Sequence, residues 1–218
     1  ILLVLFLGYL FARISVIGAI TKSGTGYYGT FSLGEGIYAS VTLFGQYIQK
    51  LLNPYPLGFF YPFEKSSDFG SFKFVLSFLV VLLFTAAFLY FLRKRKNVLA
   101  FSFLWFILFL APVLLFFRAL GDSLFSERYL FVPTIGFSLA TAALFLYVWR
   151  KKFSNKDVQK VARPILLGIL IVIAIISIGM VWDRNKDWKD NETFFTKTLA
   201  TNPEAHSLRY NLSVVHRQ

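Results

Sequence analysis

In the stretch Ser126 to Thr134 (SERYLFVPT), Glu127 and Arg128 place an acid and a base side by side where an apolar run begins. Two roles fit such a pair. An arginine at the headgroup depth of a membrane offers a phosphate two parallel hydrogen bonds, where a lysine offers only a point charge. The adjacent glutamate would then orient that arginine or meet an acceptor hydroxyl. The alternative is an anchor, in which Arg128 snorkels to the interface and Glu127 is merely solvated. Arg118, across the short segment 119–126, is placed to bring a second positive charge to the same phosphate, with Asp122 a partner for either arginine. Tyr129 and the aromatics Phe59, Phe60 and Tyr61 are candidates to border a lipid or sugar, and equally for an interfacial belt.

Other chemistry finds less support. His206 and His216 sit in a helix-like stretch without a cysteine or clustered carboxylates, so no metal site is expected. Gly24, Gly26 and Gly29 lack the preceding strand and the lysine that a phosphate-cradling loop requires. Asn191-Glu192-Thr193 and Asn211-Leu212-Ser213 are acceptor tripeptides for N-glycosylation.

The elements that must position these residues are apolar helices. The chain is 56% hydrophobic, with 27 Phe and 11 Tyr. Four runs, Phe72 to Leu92, Val98 to Phe117, Tyr129 to Trp149 and Pro164 to Trp182, each approach the ~20 residues that a hydrocarbon core demands of a spanning helix. Two weaker candidates precede them: Ile1 to Ile20, which contains Arg13, and Gly36 to Leu52, amphipathic enough to be a polar-lined or tilted span. The expectation is an all-α polytopic membrane protein with about six spans.

A net charge of +12 suggests nucleic acid in a soluble protein, but its placement argues otherwise. Arg93, Lys94, Arg95 and Lys96 lie between two spans, and the segment Arg150 to Arg163 carries six positive charges against Asp157 alone. Basic residues concentrated in short loops mark the cytoplasmic side and need no polyanionic partner beyond a general attraction to anionic headgroups. The loops Asn53 to Ser71 and Arg118 to Arg128, with everything after Trp182, then fall on the exoplasmic or lumenal face. The absence of cysteine excludes disulfides. The expected location is a bacterial or archaeal cell membrane, or the endoplasmic reticulum membrane in a eukaryote.

After Trp182 the composition turns polar, from Asp183 to Asn191, interrupted only by Trp188. This divides the chain into a membrane domain, 1–182, and an exoplasmic domain, 183–218. Trp182 suits the outer interface and Trp188 a packing position between the two domains. Two short amphipathic helices are expected in the tail, with Phe194, Phe195 and Leu199 on one face of the first and Leu208, Leu212 and Val215 on one face of the second. Asn202-Pro203 separates them, because the residue before proline is biased out of the helical region. The spacing of Phe195, Leu199 and Pro203 fits a tetratricopeptide unit, although Thr198 and Ser213 stand where that repeat usually has small residues. The only methionine is Met180, and both ends of the sequence fall inside helical patterns, so an internal part of a longer protein is expected.

Three segments in order, LLNPYPLGFFYP, SERYLFVPTIGF and WDRNKDWKDNETFFTKTLATNPEAHSLRYNL, resemble the membrane core and repeat junction of the transmembrane and tetratricopeptide repeat-containing O-mannosyltransferases and their prokaryotic relatives. The resemblance covers most of the chain from about Leu51 onward. It implies a C-type glycosyltransferase fold and transfer of a sugar, mannose by analogy, from a polyprenyl- or dolichyl-phosphate carrier to a protein hydroxyl on the exoplasmic face. It further implies that the repeats hold the protein acceptor or a partner and that the catalytic base belongs to an earlier exoplasmic loop outside this sequence; on the chemistry of the residues themselves, Arg128, Glu127 and Arg118 are the candidates to bind the lipid phosphate. The resemblance specifies no further cofactor and leaves a metal requirement open. Two other readings share many of these features: an O-antigen ligase or polymerase, and a non-catalytic membrane anchor displaying a repeat scaffold.

Overall fold

The computed structural model describes residues 31–55, 58, 61, 63, 65–115, 124–150, 156–201, 203 and 206–217. Ile1 to Ile20, Phe59, Phe60, Arg118 and Asp122 lie outside them. Among the described residues there are seven α-helices and one 3-10 turn, and no strand.

Helix α1 is Leu33–Leu52. A capping box starts it: the Ser32 hydroxyl accepts from the Glu35 amide at 3.3 Å, and the Glu35 carboxylate accepts from the Ser32 amide at 2.7 Å. Asn53 ends it in an extended conformation ahead of Pro54. Helices α2 (Phe72–Arg93) and α3 (Asn97–Leu115) form a tight hairpin. The turn between them closes with Lys96 N–H donating to Phe91 O at 2.9 Å and Arg95 N–H to Leu92 O at 3.1 Å, a Schellman arrangement.

The 3-10 turn Glu127–Leu130 then leads into α4, Pro133–Arg150, with proline in the first helical position, where its missing N–H costs nothing. The apolar run expected from Tyr129 is therefore helical in the α sense only from Pro133. The Trp105 indole donates to Val132 O at 3.1 Å, which starts α4 beside the middle of α3. Ten residues of helix, about 15 Å, separate that level from Leu115. Gly136 makes the close approach possible: a Cβ there would lie 2.5 Å from Ser102 O. Gly45 does the same between α1 and α2, where a Cβ would lie 2.6 Å from that of Ser77. Small residues at such crossings let helix backbones approach closely.

The core is where α1 meets α3. Ala39, Leu43, Phe44 and Tyr47 form a stripe at helical spacing, packed with Phe106, Leu110, Val113 and Leu114. Phe44 meets Phe84 of α2 edge-on at 5.2 Å, and the Ser40 hydroxyl donates to Leu114 O at 2.9 Å. Tyr38 reaches Ser71 at 3.2 Å, while Leu52 and Asn53 share a hollow with Phe72 and Lys73. Both ends of α1 thus approach the start of α2, so α1 crosses that end of the bundle obliquely.

Among the described residues three helical stretches are long and apolar enough to cross a membrane: Phe72–Arg93, Asn97–Leu115 and Arg163–Asp187 within α5 (Lys156–Asp187). Along α2 only Ser77 is buried, and Leu79 and Leu83 are exposed. A helix that is apolar all round yet uncovered belongs in hydrocarbon.

Helices α6 (Asn191–Thr201) and α7 (His206–Val215) pair as the tail hairpin. Among its described residues Phe194, Thr198 and Leu208 are buried, whereas Phe195 and Leu199 are half-buried. Phe194 rather than Phe195 is the packing residue, with its ring 4.5 Å from that of Trp188.

Candidate functional site

Glu127 and Arg128 open the 3-10 turn, and their side chains part company. Glu127 turns into the protein. Its Oε1 lies 3.2 Å from Lys50 Nζ and accepts the hydroxyl hydrogen of Tyr61. Lys50 comes from the last turn of α1, where its charge also complements the helix C-terminus. The same ammonium sits 4.7 Å from the centre of the Tyr61 ring.

Tyr61 accepts a hydrogen bond from the Gly58 amide at 2.6 Å as it donates to Glu127. Its phenol is pushed well above its ordinary pKa, first by burial and then by the bond to Glu127, while the charge of Arg184 acts the other way. Burial and the bond to Glu127 thus both favour the protonated form of Tyr61. Phe125 supports this group from below, edge-on to Tyr61 at 5.0 Å and stacked on Tyr47 at 4.6 Å. Tyr47, fully buried, brings its hydroxyl to 3.5 Å from the Ser126 amide.

Arg128 points outward and is exposed. Its Nη2 donates to the Tyr129 hydroxyl at 3.2 Å, and its guanidinium carbon lies 5.1 Å from that ring's centre. Among the described residues no carboxylate pairs with it. The adjacent acid and base therefore do not pair with each other; each has its own partners.

Lys50 is the residue that sequence reasoning missed. It shares a helical face with Tyr47, three residues before it, and a cation on the buried side of an amphipathic helix signals a hidden acidic partner. The tail junction carries a second charged cluster: Asp187 receives Arg184 at 2.9 Å and also Lys197, tying the end of α5 to α6. Among the described residues no group of three or more His, Cys, Asp or Glu side chains could hold a metal ion.

No protein-family model, curated protein or solved structure matches this chain.

Proposed function

We propose that the chain belongs to a membrane glycosyltransferase that takes a sugar, mannose by resemblance, from a polyprenyl-phosphate carrier and transfers it to a protein hydroxyl on the exoplasmic face. The observation that carries this reading is the division of labour in the 3-10 turn. Lys50 and Tyr61 occupy Glu127, leaving the Arg128 guanidinium exposed and without an acidic partner among the described residues. An exposed fork of donors, held at one nitrogen by the Tyr129 hydroxyl, suits a phosphate diester and the charge that develops on it as the sugar leaves. Glu127 acts as a positioning residue, holding the turn from inside. Arg118 is the proposed second cation. The acceptor protein is held by the tail hairpin, extended by further repeats.

Arg128→Lys in the full-length protein separates this role from anchoring. An anchor needs only a positive charge on a flexible stem, so lysine would serve. A bidentate phosphate contact needs the planar fork, and its loss costs about 1.5–3 kcal/mol, or roughly ten- to a hundredfold in transfer. The expected result is normal insertion and accumulation with poor transfer from purified polyprenyl-phosphate sugar at subsaturating concentration. A wild-type rate for Arg128→Lys would overturn the phosphate role.

A further inference from the structure

The basic turn at the far end of α3 from Glu127 is more than a topological marker. Between the end of α2, the start of α3 and the last turns of α4 lies a cavity of about 810 Å³. Lys94, Arg95 and Lys96 line one side of it, and Tyr90, Leu144 and Tyr147 are among its apolar and aromatic walls. A second hollow of about 610 Å³ runs on along α4, with Val98 of α3 at its edge; it shares Val98, Ala143 and Tyr147 with the first and bears Arg150 on its rim. Among the described residues no carboxylate lines either space.

Two further features point to an anion. Arg95 has φ of 51°, the left-handed conformation that the C-cap geometry requires and that glycine usually supplies. It is the only positive-φ residue other than glycine among the described residues. A cation thus stands at a position where backbone strain favours its removal. Helix α3 also begins immediately after Lys96, whose carbonyl accepts from the Ala100 amide at 2.9 Å but whose side chain has no acceptor to cap the first turn. The free amides and the dipole of that helix start attract negative charge.

We infer that this groove is a specific binding site for an anionic phospholipid, with the phosphate among Lys94, Arg95, Lys96 and the start of α3, and an acyl chain in the apolar hollow toward Leu139 and Leu146. A soluble phosphate compound matches the rim but leaves the apolar length empty. A zwitterionic lipid matches the hollow but brings its own cation to a rim that holds no acid among the described residues. The site needs only the membrane setting of α2 and α3 and is independent of any role for Arg128.

The test uses full-length protein purified in neutral detergent and exposed to phosphatidylglycerol, phosphatidylcholine or glycerol phosphate, with retained lipid counted by native mass spectrometry. Phosphatidylglycerol should be retained at least about tenfold better than phosphatidylcholine, as several cations each contribute about fivefold near a headgroup. Arg95→Gly should lower that retention about fivefold while its melting temperature holds or rises, since glycine fits the turn. Lys94→Gln combined with Lys96→Gln removes charge without touching the left-handed position and should lower retention further. Lys186→Gln, an exposed charge in the tail, should change nothing. Equal retention of the two lipids, or wild-type retention in the Lys94 and Lys96 double variant, would overturn the site. Displacement of the lipid by glycerol phosphate at equal concentration would overturn its assignment to a lipid.

Discussion

Lys50 Nζ and Glu127 Oε1 lie 3.2 Å apart, joining the last turn of α1 to the turn that precedes α4. Neither side chain is freely solvated, with 12% and 29% of their surfaces exposed. The pair fixes Glu127 without help from its neighbour Arg128, and Tyr61 completes it from the intervening loop.

Lys50→Met should therefore destabilise the protein by about 1–3 kcal/mol, because it strands a half-buried carboxylate on one phenol. Glu127→Gln in the same background should recover part of that loss, since the amide carries no charge and still accepts from Tyr61. Thermal unfolding in detergent of both single variants and the double variant reads the coupling. Strictly additive losses would show that the two side chains do not act as a pair.

Gly45→Ala should cost about 1–3 kcal/mol, by driving α1 away from Ser77 on α2. Ser77→Gly should rescue much of it, because the colliding atoms belong mostly to that side chain. Gly136→Ala should be as harmful, but no side-chain change on α3 should rescue it fully, because its nearest obstacle is the Ser102 carbonyl. Melting temperatures of the single and paired variants distinguish the two cases.

In the tail, Phe194→Ala should destabilise the α6–α7 hairpin by a few kcal/mol, and Phe195→Ala by clearly less. Phe194 is buried against Trp188, and Phe195 is only half-covered. Limited proteolysis after residue 187 reports the difference; equal sensitivity of the two variants would contradict the packing.

Asp190 caps α6, its Oδ1 accepting from the Thr193 amide at 2.7 Å, and that bond holds its carboxyl below the ordinary carboxylate range. A depressed folded pKa gives a contribution fully present above the unfolded value, near 4, and lost as pH falls through the folded value. Protease resistance of the tail should decline on acidification below about pH 4. Asp190→Asn should keep the cap while removing its share of the pH dependence.

Much of the architecture is local and was legible in the sequence. The apolar helices that begin near Phe72 and Val98 and the two tail helices follow from composition and period, which any short window of sequence carries. Proline at 133 also marks a helix start, although the long apolar run around it hides that signal. The face by which α2 packs was not legible: its residues are apolar all round, so no stripe distinguishes Ser77, its one buried residue, from the lipid-facing side chains.

The partners of Glu127 were equally out of reach. Tyr61 and Glu127 are 66 positions apart, and they meet because α1 crosses the bundle obliquely and α4 starts beside Trp105. Sequence alone determined which segments are helical, which are apolar enough for a membrane and where charge accumulates, since each depends on neighbours along the chain. Only the tertiary structure decided that Glu127 turns inward to Lys50 while Arg128 faces outward, because that choice depends on close approach at Gly45 and Gly136, which only the crossing of helices defines.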